Sequence, residues 1–475
     1  MTMQDETNLV EDAPQGLLSD DSVAIIVGLA VLLLILGITT FYGEIAFDKK
    51  GNPFMASSLN SWLDKPGGWE WNPIHAFTGT SEKPKAIYKG VVGVALLLGI
   101  FFTALSRWMR PKADYLSYLV GFLILIALGT AANILAGQTV IKSYSLSYAL
   151  WALLIGLIIG NTIKKEAFGK YGKAAFRTEL YIKTGLVFLG AEVLFSRLLA
   201  LGPAGILIAW VVTPIVLLTT FWFGQKVLRM KSASLNMVIA ADMSVCGISA
   251  AIATAAACKA KKEELSVAVG LSLCFTAVMM TVMPMAVSWL ELGPEIGGAW
   301  VGGTVDATGA VSLAGATMGP IAMETAVVVK MIQNILIGVI AFGVAAYWTT
   351  REDQANSDGE KAKSNIQISE IWIRFPKFVL GFIGASILFS IIFSVAPQGE
   401  EIVNGVIKNT KILRDWLFCL AFVCIGIDLN YQKLASQLSG GKPLILYVCG
   451  QTLNIILTLL MAILAFKYLF PGAAE

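Results

Sequence analysis

Two short polar stretches hold the residues of this chain that could do chemistry, and both lie inside otherwise apolar sequence. Ala240–Ala251 (AADMSVCGISAA) offers Asp242, Ser244, Cys246, Gly247 and Ser249, and Gly302–Gly315 (GGTVDATGAVSLAG) offers Thr304, Asp306, Thr308, Gly309 and Ser312. Hydroxyls and glycine amides can replace the hydration shell of a small ion while leaving room for close approach. Helices broken at such points present unpaired N–H groups at their N-terminal ends, a favourable setting for an oxyanion. Polar groups are costly in hydrocarbon unless they line a cavity or bind something, so the two stretches read as a transport site.

Asp306 complicates a plain anion pocket, because a carboxylate at mid-membrane must be paired, protonated or bound to a cation. Lys330 is the partner the sequence offers, with Gln333 and Asn334 at i+3 and i+4 on its helical face. Two readings stand. Either Lys330 meets an anionic substrate while Asp306 couples to a proton or Na⁺, or the two form a structural ion pair remade between states. The expected substrate-binding set is Ser244, Cys246, Gly247, Ser249, Thr304, Asp306, Thr308, Ser312, Lys330 and Asn334, with Asp306 and Lys330 as the coupling pair. No cofactor is expected beyond Na⁺ as a coupling ion, and no metal. Asp242 reads as a cap or gate at the entrance to its stretch, and Glu192 and Asp428 as solvated at opposite membrane faces. Gly156–Gly160–Asn161 reads mainly as helix packing, and the same reading competes for the glycines and alanines of both polar stretches.

These stretches need a membrane scaffold, and the composition supplies one. Hydrophobic residues make up 56% of 475 positions and charged residues 14%, and the mean hydropathy is +0.72. The net charge of +3 resides in short basic clusters between apolar runs, the pattern of cytoplasmic loops, so no nucleic-acid partner is expected. The cysteines 246, 258, 274, 419, 424 and 449 lack the close paired spacing of a zinc or haem site, and His75 is the only histidine. No phosphate loop of the G-x-x-x-x-G-K-[ST] type is present. Neither an enzyme nor an ATP-driven pump is expected, which leaves an ion gradient, exchange or the substrate's own gradient as the energy source.

Apolar runs long enough to span hydrocarbon fall at 22–43, 88–107, 115–136, 145–162, 181–200, 203–225, 265–289, 324–347, 376–395, 412–429 and 444–469, about eleven spans. Leu235–Cys258 and Ile296–Gly319 are interrupted. Basic residues flank the first on both sides (Arg229 and Lys231; Lys259, Lys261 and Lys262) and acidic ones flank the second (Glu291 and Glu295; Glu324). The charge rule therefore favours two hairpins entering from opposite faces, with full crossings by broken helices as the alternative. The same rule places the N-terminus in the cytoplasm and the C-terminus outside, against the lysines of the Trp-rich loop Asp48–Lys89, which is read as external. The organisation is an acidic leader (1–21), N-terminal spans with that loop (22–114), a first transport segment with both hairpins (115–349), a linker (350–375) and closing spans (376–475).

Phe188–Val193 (FLGAEV) echoes Cys424–Leu429 (CIGIDL), with an acidic residue two places after a glycine at the end of an apolar run. The spans carrying them run in opposite directions in this topology, the mark of an inverted repeat. The fold class is thus an all-α integral membrane protein with about eleven spans, two opposed re-entrant or broken segments and an inverted-repeat transporter architecture.

Leu153–Asn161 (LLIGLIIGN), Gly185–Glu192 (GLVFLGAE), Cys246–Ile252 (CGISAAI), Gly302–Asp306 (GGTVD), Trp372–Gly384 and Gly426–Asp428 together resemble the family of bacterial membrane proteins labelled sulfate exporters. The resemblance implies a secondary transporter in the bacterial inner membrane, moving a small oxyanion or organosulfonate. That family carries a His-Asp pair where this chain reads Thr304–Val305–Asp306. Without a histidine to carry protons near neutral pH, more of the coupling role falls to Asp306 or Na⁺. The expected function is export or exchange of sulfate, sulfite or an organosulfonate, with an anion channel or a small-carboxylate transporter as the alternatives. The expected partners are the anion and the lipid bilayer; a homodimer is left open, since no helix advertises an association face.

Overall fold

The computed structural model describes residues 20–48, 51–80, 83–109, 115–143, 147–163, 165–193, 195–355, 376–428 and 441–471. Nearly all of the acidic leader, most of the 350–375 linker with Trp372, and Leu429 lie outside the described residues.

The expectation of an all-helical chain holds. The helices longer than two turns begin with α1 (Asp20–Tyr42), α2 (Ile87–Met109), α3 (Tyr115–Gly137), α4 (Tyr148–Thr162), α5 (Lys165–Ala175) and α6 (Thr178–Glu192). They continue with α7 (Phe195–Leu207), α8 (Thr213–Lys226), α9 (Ala233–Ser244), α10 (Ile248–Ala257), α11 (Lys262–Trp289) and α12 (Pro294–Thr304). The last are α13 (Thr308–Met318), α14 (Pro320–Ala355), α15 (Phe378–Val395), α16 (Gly399–Asp428) and α17 (Lys442–Ile463). A small antiparallel ribbon pairs β1 (Glu44–Phe47) with β2 (Pro53–Ala56).

Among the described residues, 8 helical runs are long and apolar enough to cross a membrane. Three expected spans are redrawn. The run expected at 181–200 stops at Glu192, and a helix restarting at Phe195 continues through a π turn at Ile208–Val212 to Lys226. Pro203 lies inside it, so the break expected between 200 and 203 is absent. The run expected at 412–429 belongs to a 30-residue helix starting at Gly399.

The chain forms two compact units. The first comprises Met1–Tyr144, Trp151–Glu192 and Leu380–Asp428. In it the two echo segments lie on helices that pack antiparallel: Glu192 on α6 meets Arg414 on α16 at 2.5 Å, while Gly185 faces Phe418. Glu192 is therefore not solvated at a membrane face as expected; its side chain is 6% exposed and Arg414 is its counter-ion. Arg414 also holds Asp415 at 2.9 Å, and Asp415 holds Lys65 at 2.7 Å. Lys65 comes from the Trp-rich loop, which is further tied down by Trp69 Nε1 donating to the Ile134 carbonyl and Trp416 Nε1 donating to that of Asp64. The packing reading of Gly156 and Gly160 holds: a methyl group on either would collide with the backbone of α16 at Val423, Gly426 or Ile427.

The second unit comprises Ser145–Leu150, Val193–Val379 and Leu429–Glu475. Its organising element is α14. Gly298 and Gly302 of α12 press on Ala322 and Ala326 of α14 in that order, so α12 runs parallel to α14. Gly315 of α13 presses on Met323, while Thr308, earlier in α13, accepts from Asn334, so α13 runs antiparallel. The chain thus doubles back at Val305–Ala307. A second doubling back joins α9 to α10 at Val245–Gly247. At the base of that pair Cys258, just past α10, contacts the Ser234 carbonyl, and Glu264 accepts from both Ser232 and Ser234. The base of the α9–α10 pair shares an apolar cluster with Val344 near the far end of α14, whereas the base of the α12–α13 pair lies beside its start. The two hairpins therefore approach the middle of α14 from opposite ends.

Two outcomes follow from this packing. Gly302→Ala should destabilise the purified protein by about 1–3 kcal/mol, because backbone fills the space. Gly343→Ala, with nothing within 4 Å of the added methyl, should leave its melting temperature in detergent unchanged. Arg414→Ala leaves Glu192 buried without its counter-ion and should cost about 3–5 kcal/mol, whereas Lys65→Ala, whose side chain is 40% exposed, should cost at most about 1 kcal/mol. Equal melting shifts for the two would contradict the ion-pair account.

Candidate functional site

Each hairpin tip is a place where helical backbone stops pairing with itself, so the first question is where its polar groups go. Gly247 allows the first tip to form: its φ of +51° is a conformation that L side chains rarely adopt, and a methyl there would stand 3.0 Å from Ser272 Oγ. The second tip turns through Val305–Ala307 with extended backbone at both Val305 and Ala307.

Five carbonyls at the ends of the two incoming half-helices, those of Met243, Ser244, Val245, Gly303 and Thr304, are met by side chains. Lys330 Nζ donates to the Val245 carbonyl at 2.6 Å and to Gln333 Oε1 at 2.8 Å. Gln333 Nε2 in turn donates to the Ser244 carbonyl at 3.0 Å and the Gly303 carbonyl at 3.3 Å, one from each hairpin. From α17, Gln451 caps the Thr304 carbonyl at 3.0 Å and Asn454 caps that of Met243 at 3.3 Å. These amides and one ammonium stitch the tips together in a setting where water is excluded.

The outgoing half-helices are treated differently. The N-cap residues of α10 and α13 are Gly247 and Ala307, and neither supplies a side-chain cap. The first backbone bonds into these helices are Ala251 N to the Gly247 carbonyl and Val311 N to that of Ala307, so the preceding N–H groups have no helical acceptor. The two N-terminal ends meet directly, with Cys246 Sγ 3.3 Å from Thr308 Oγ1. Asn334 Nδ2 donates to that same hydroxyl at 3.2 Å. Ser249 and Ala307 are partly exposed beside this meeting point.

Of the residues expected to bind substrate, Ser244, Cys246, Gly247, Thr304, Asp306, Thr308, Lys330 and Asn334 converge at the joined tips. Ser244, Thr304, Asp306, Lys330 and Asn334 are each at most 1% exposed. Ser249 sits at the partly exposed start of α10. Ser312 is buried one turn further into α13 and contributes no bond joining the tips.

Two expectations are corrected. Asp306 does not lie within ion-pair distance of Lys330; it accepts a hydrogen bond from the Tyr447 hydroxyl, while Lys330 is held by Val245 and Gln333. The reason is placement: α17 brings a phenol to the second tip, while α14 directs Lys330 at the first. Asp242 is not at the entrance of its hairpin. It is fully buried near the tip, Gly247 N donates to its carbonyl, and neither carboxylate oxygen has a hydrogen-bond partner.

Tyr447, Gln451, Asn454 and Ser272 were missed. Their signal was present: Tyr447, Gln451, Asn454 and Thr458 recur at i, i+4, i+7 and i+11, a polar stripe on one face of an apolar helix, and Ser272 and Thr276 form a shorter one. Among the described residues, no three His, Cys, Asp or Glu side chains cluster as a metal site.

Residues 120–447, more than half of the chain, match the family described as Conserved hypothetical protein 698. The chain is 56% identical over 416 residues to the UPF0324 membrane protein RB9488 of Rhodopirellula baltica, covering 87% of this chain and 74% of that one. It is 51% identical over 380 residues to a UPF0324 membrane protein of Nitratidesulfovibrio vulgaris, covering 79% and 64%. With the UPF0324 inner membrane protein YeiH of Escherichia coli K12 it shares 27% identity over 300 residues, covering 62% and 79%. No solved structure matches it. A match of this extent to the family, with relatives named as membrane proteins and apolar helices long enough to span a bilayer, makes this chain a membrane protein of the conserved hypothetical protein 698 family.

Proposed function

We propose that the chain is a secondary active transporter that exports or exchanges a small sulfur-containing oxyanion, such as sulfate, sulfite or an organosulfonate. One observation carries this reading: the incoming half-helix ends are capped and the outgoing N-terminal ends are not. Facing N-termini add two positive dipole ends at one point, and Lys330 adds a full charge beside them. A small oxyanion between Cys246 and Thr308 would collect backbone N–H groups from α10 and α13, the hydroxyls of Ser249 and Thr308, and Lys330 once its ammonium swings from the Val245 carbonyl. Releasing that carbonyl loosens the first tip, so arrival of the anion and movement of the hairpin are linked.

In this reading the hairpins are re-entrant from opposite faces, with the N-terminus cytoplasmic and the C-terminus external. Access alternates between the two sides of the joined tips. The antiparallel pairing of the α6 and α16 echo helices accords with opposed repeats. Asp306 serves coupling, and the sulfur chemistry of the substrate rests on the resemblance of the motifs. No catalytic role is assigned.

Counterflow in proteoliposomes loaded with sulfate, sulfite, organosulfonates or small carboxylates tests the proposal directly. Lys330→Gln should cut counterflow about ten- to hundredfold, the value of one charged hydrogen bond. Saturating substrate should protect Ser249→Cys from a membrane-impermeant thiol reagent. Asp306→Asn should lose gradient-driven accumulation and keep exchange. Conductance without counterflow, together with tolerance of Asp306→Asn, would replace the carrier with a channel.

A further inference from the structure

Behind the tips, away from Cys246 and Thr308, lies a second group of polar atoms that the anion site does not use. Asp242 and Asp306 flank Gly247: a methyl built on that glycine would stand 3.6 Å from Asp242 Oδ1 and 3.5 Å from Asp306 Cβ. Both oxygens of Asp242 lack hydrogen-bond partners, as do Thr304 Oγ1 and Gln451 Oε1. All three residues are at most 2% exposed.

Their neighbourhood is continuous. Gln451 reaches Thr304 through its amide nitrogen, and Tyr447, one turn earlier on the same face of α17, holds Asp306. Across from them, the Phe275 and Tyr447 rings lie tilted with centroids 4.5 Å apart, and Gln451 Nε2 lies 3.2 Å from Met279 Sδ. That contact brings Ser272 and Thr276 of α11 onto the same side, and Thr276 Oγ1 is also unpartnered. Every available nitrogen donor here already points elsewhere: Lys330 at Val245 and Gln333, Gln451 at Thr304, Asn454 at Met243.

A buried carboxylate with no nitrogen donor, only the Ser272 hydroxyl near it, and several orphaned oxygens around it is costly as it stands. Two carboxylates against the single ammonium of Lys330 leave one formal negative charge in the cluster. A proton would satisfy one oxygen, whereas a cation with several oxygen ligands satisfies them together. Two carboxylates and no histidine or thiolate fit a hard, weakly charged ion better than zinc or iron.

We propose that Asp242, Asp306, Thr304 and Gln451 form a Na⁺ site, distinct from the anion site at the facing N-termini and sharing the Gly247 tip with it. Na⁺ bound there would fix the tip in the geometry that presents the N–H groups of α10. The proposal rests on the carrier reading for its role in coupling, while binding itself is measured without transport.

The test uses the full-length protein purified in detergent without added anion substrate. Thermal unfolding is followed at constant ionic strength in NaCl, KCl or choline chloride, and ²²Na⁺ binding is measured at equilibrium. Na⁺ alone should raise the melting temperature in a saturable way, and ²²Na⁺ should bind at one site per chain. Asp242→Asn and Thr304→Val should each weaken the apparent affinity for Na⁺ by at least about tenfold, as loss of an ion-orienting group does. Ser312→Ala should leave it unchanged. Absence of Na⁺-specific stabilisation and of ²²Na⁺ binding in the wild type would overturn the proposal, as would full retention of both in Asp242→Asn and Thr304→Val. Na⁺ binding of the expected kind supports the site whatever the counterflow assay shows, so the two proposals fail separately.

Discussion

An interrupted helix in an apolar surrounding leaves backbone groups that neither water nor the helix can satisfy, and the second unit is arranged around that constraint. Lys330 and Gln333, one turn apart on α14, answer it for both hairpins at once. Gln333 accepts from Lys330 and donates to one carbonyl of each tip, so neither tip is complete without the other. Such a network of side-chain bonds to both tips specifies one joined geometry far better than apolar packing could.

The satisfaction is one-sided. Side-chain nitrogens are spent on the C-terminal ends of α9 and α12, leaving the N-terminal ends of α10 and α13 and the oxygens of Asp242, Thr304 and Gln451 without partners. In the proposed carrier the first group receives the anion and the second the cation. In that carrier the turn at Gly247, with Asp242 and Asp306 beside it, is the element both groups share, so a change in the tip alters both.

The first unit solves a different problem with different means. Arg414 is 2% exposed in an apolar helix and is tolerated because Glu192 and Asp415 surround it and Lys65 continues the chain of charges outward. A charge taken out of water is tolerable only when paired and hydrogen-bonded. The Trp-rich loop thereby has a structural anchor, since Lys65 and the Asp64 carbonyl both bind α16.

Much of this was legible in the residues themselves. Apolar runs with polar interruptions at 240–251 and 302–315 locate the breaks, because hydrocarbon tolerates glycine, hydroxyls and carboxylates only where backbone leaves the helix. The asymmetry of flanking charge identifies both segments as hairpins to be considered, and the face Lys330–Gln333–Asn334 follows from helical period alone. What the linear order could not decide is which distant groups meet. Nothing local distinguishes Lys330 from Tyr447 as the partner of Asp306, or places Asp242 beside the tip rather than at the entrance. Those choices depend on how α14 and α17 are set against the two hairpins, and that is fixed by close backbone approach at Gly298 and Gly302 and by the caps from Gln451 and Asn454. Periodicity is a property of one helix, whereas pairing is a property of several, and only the packed structure holds it.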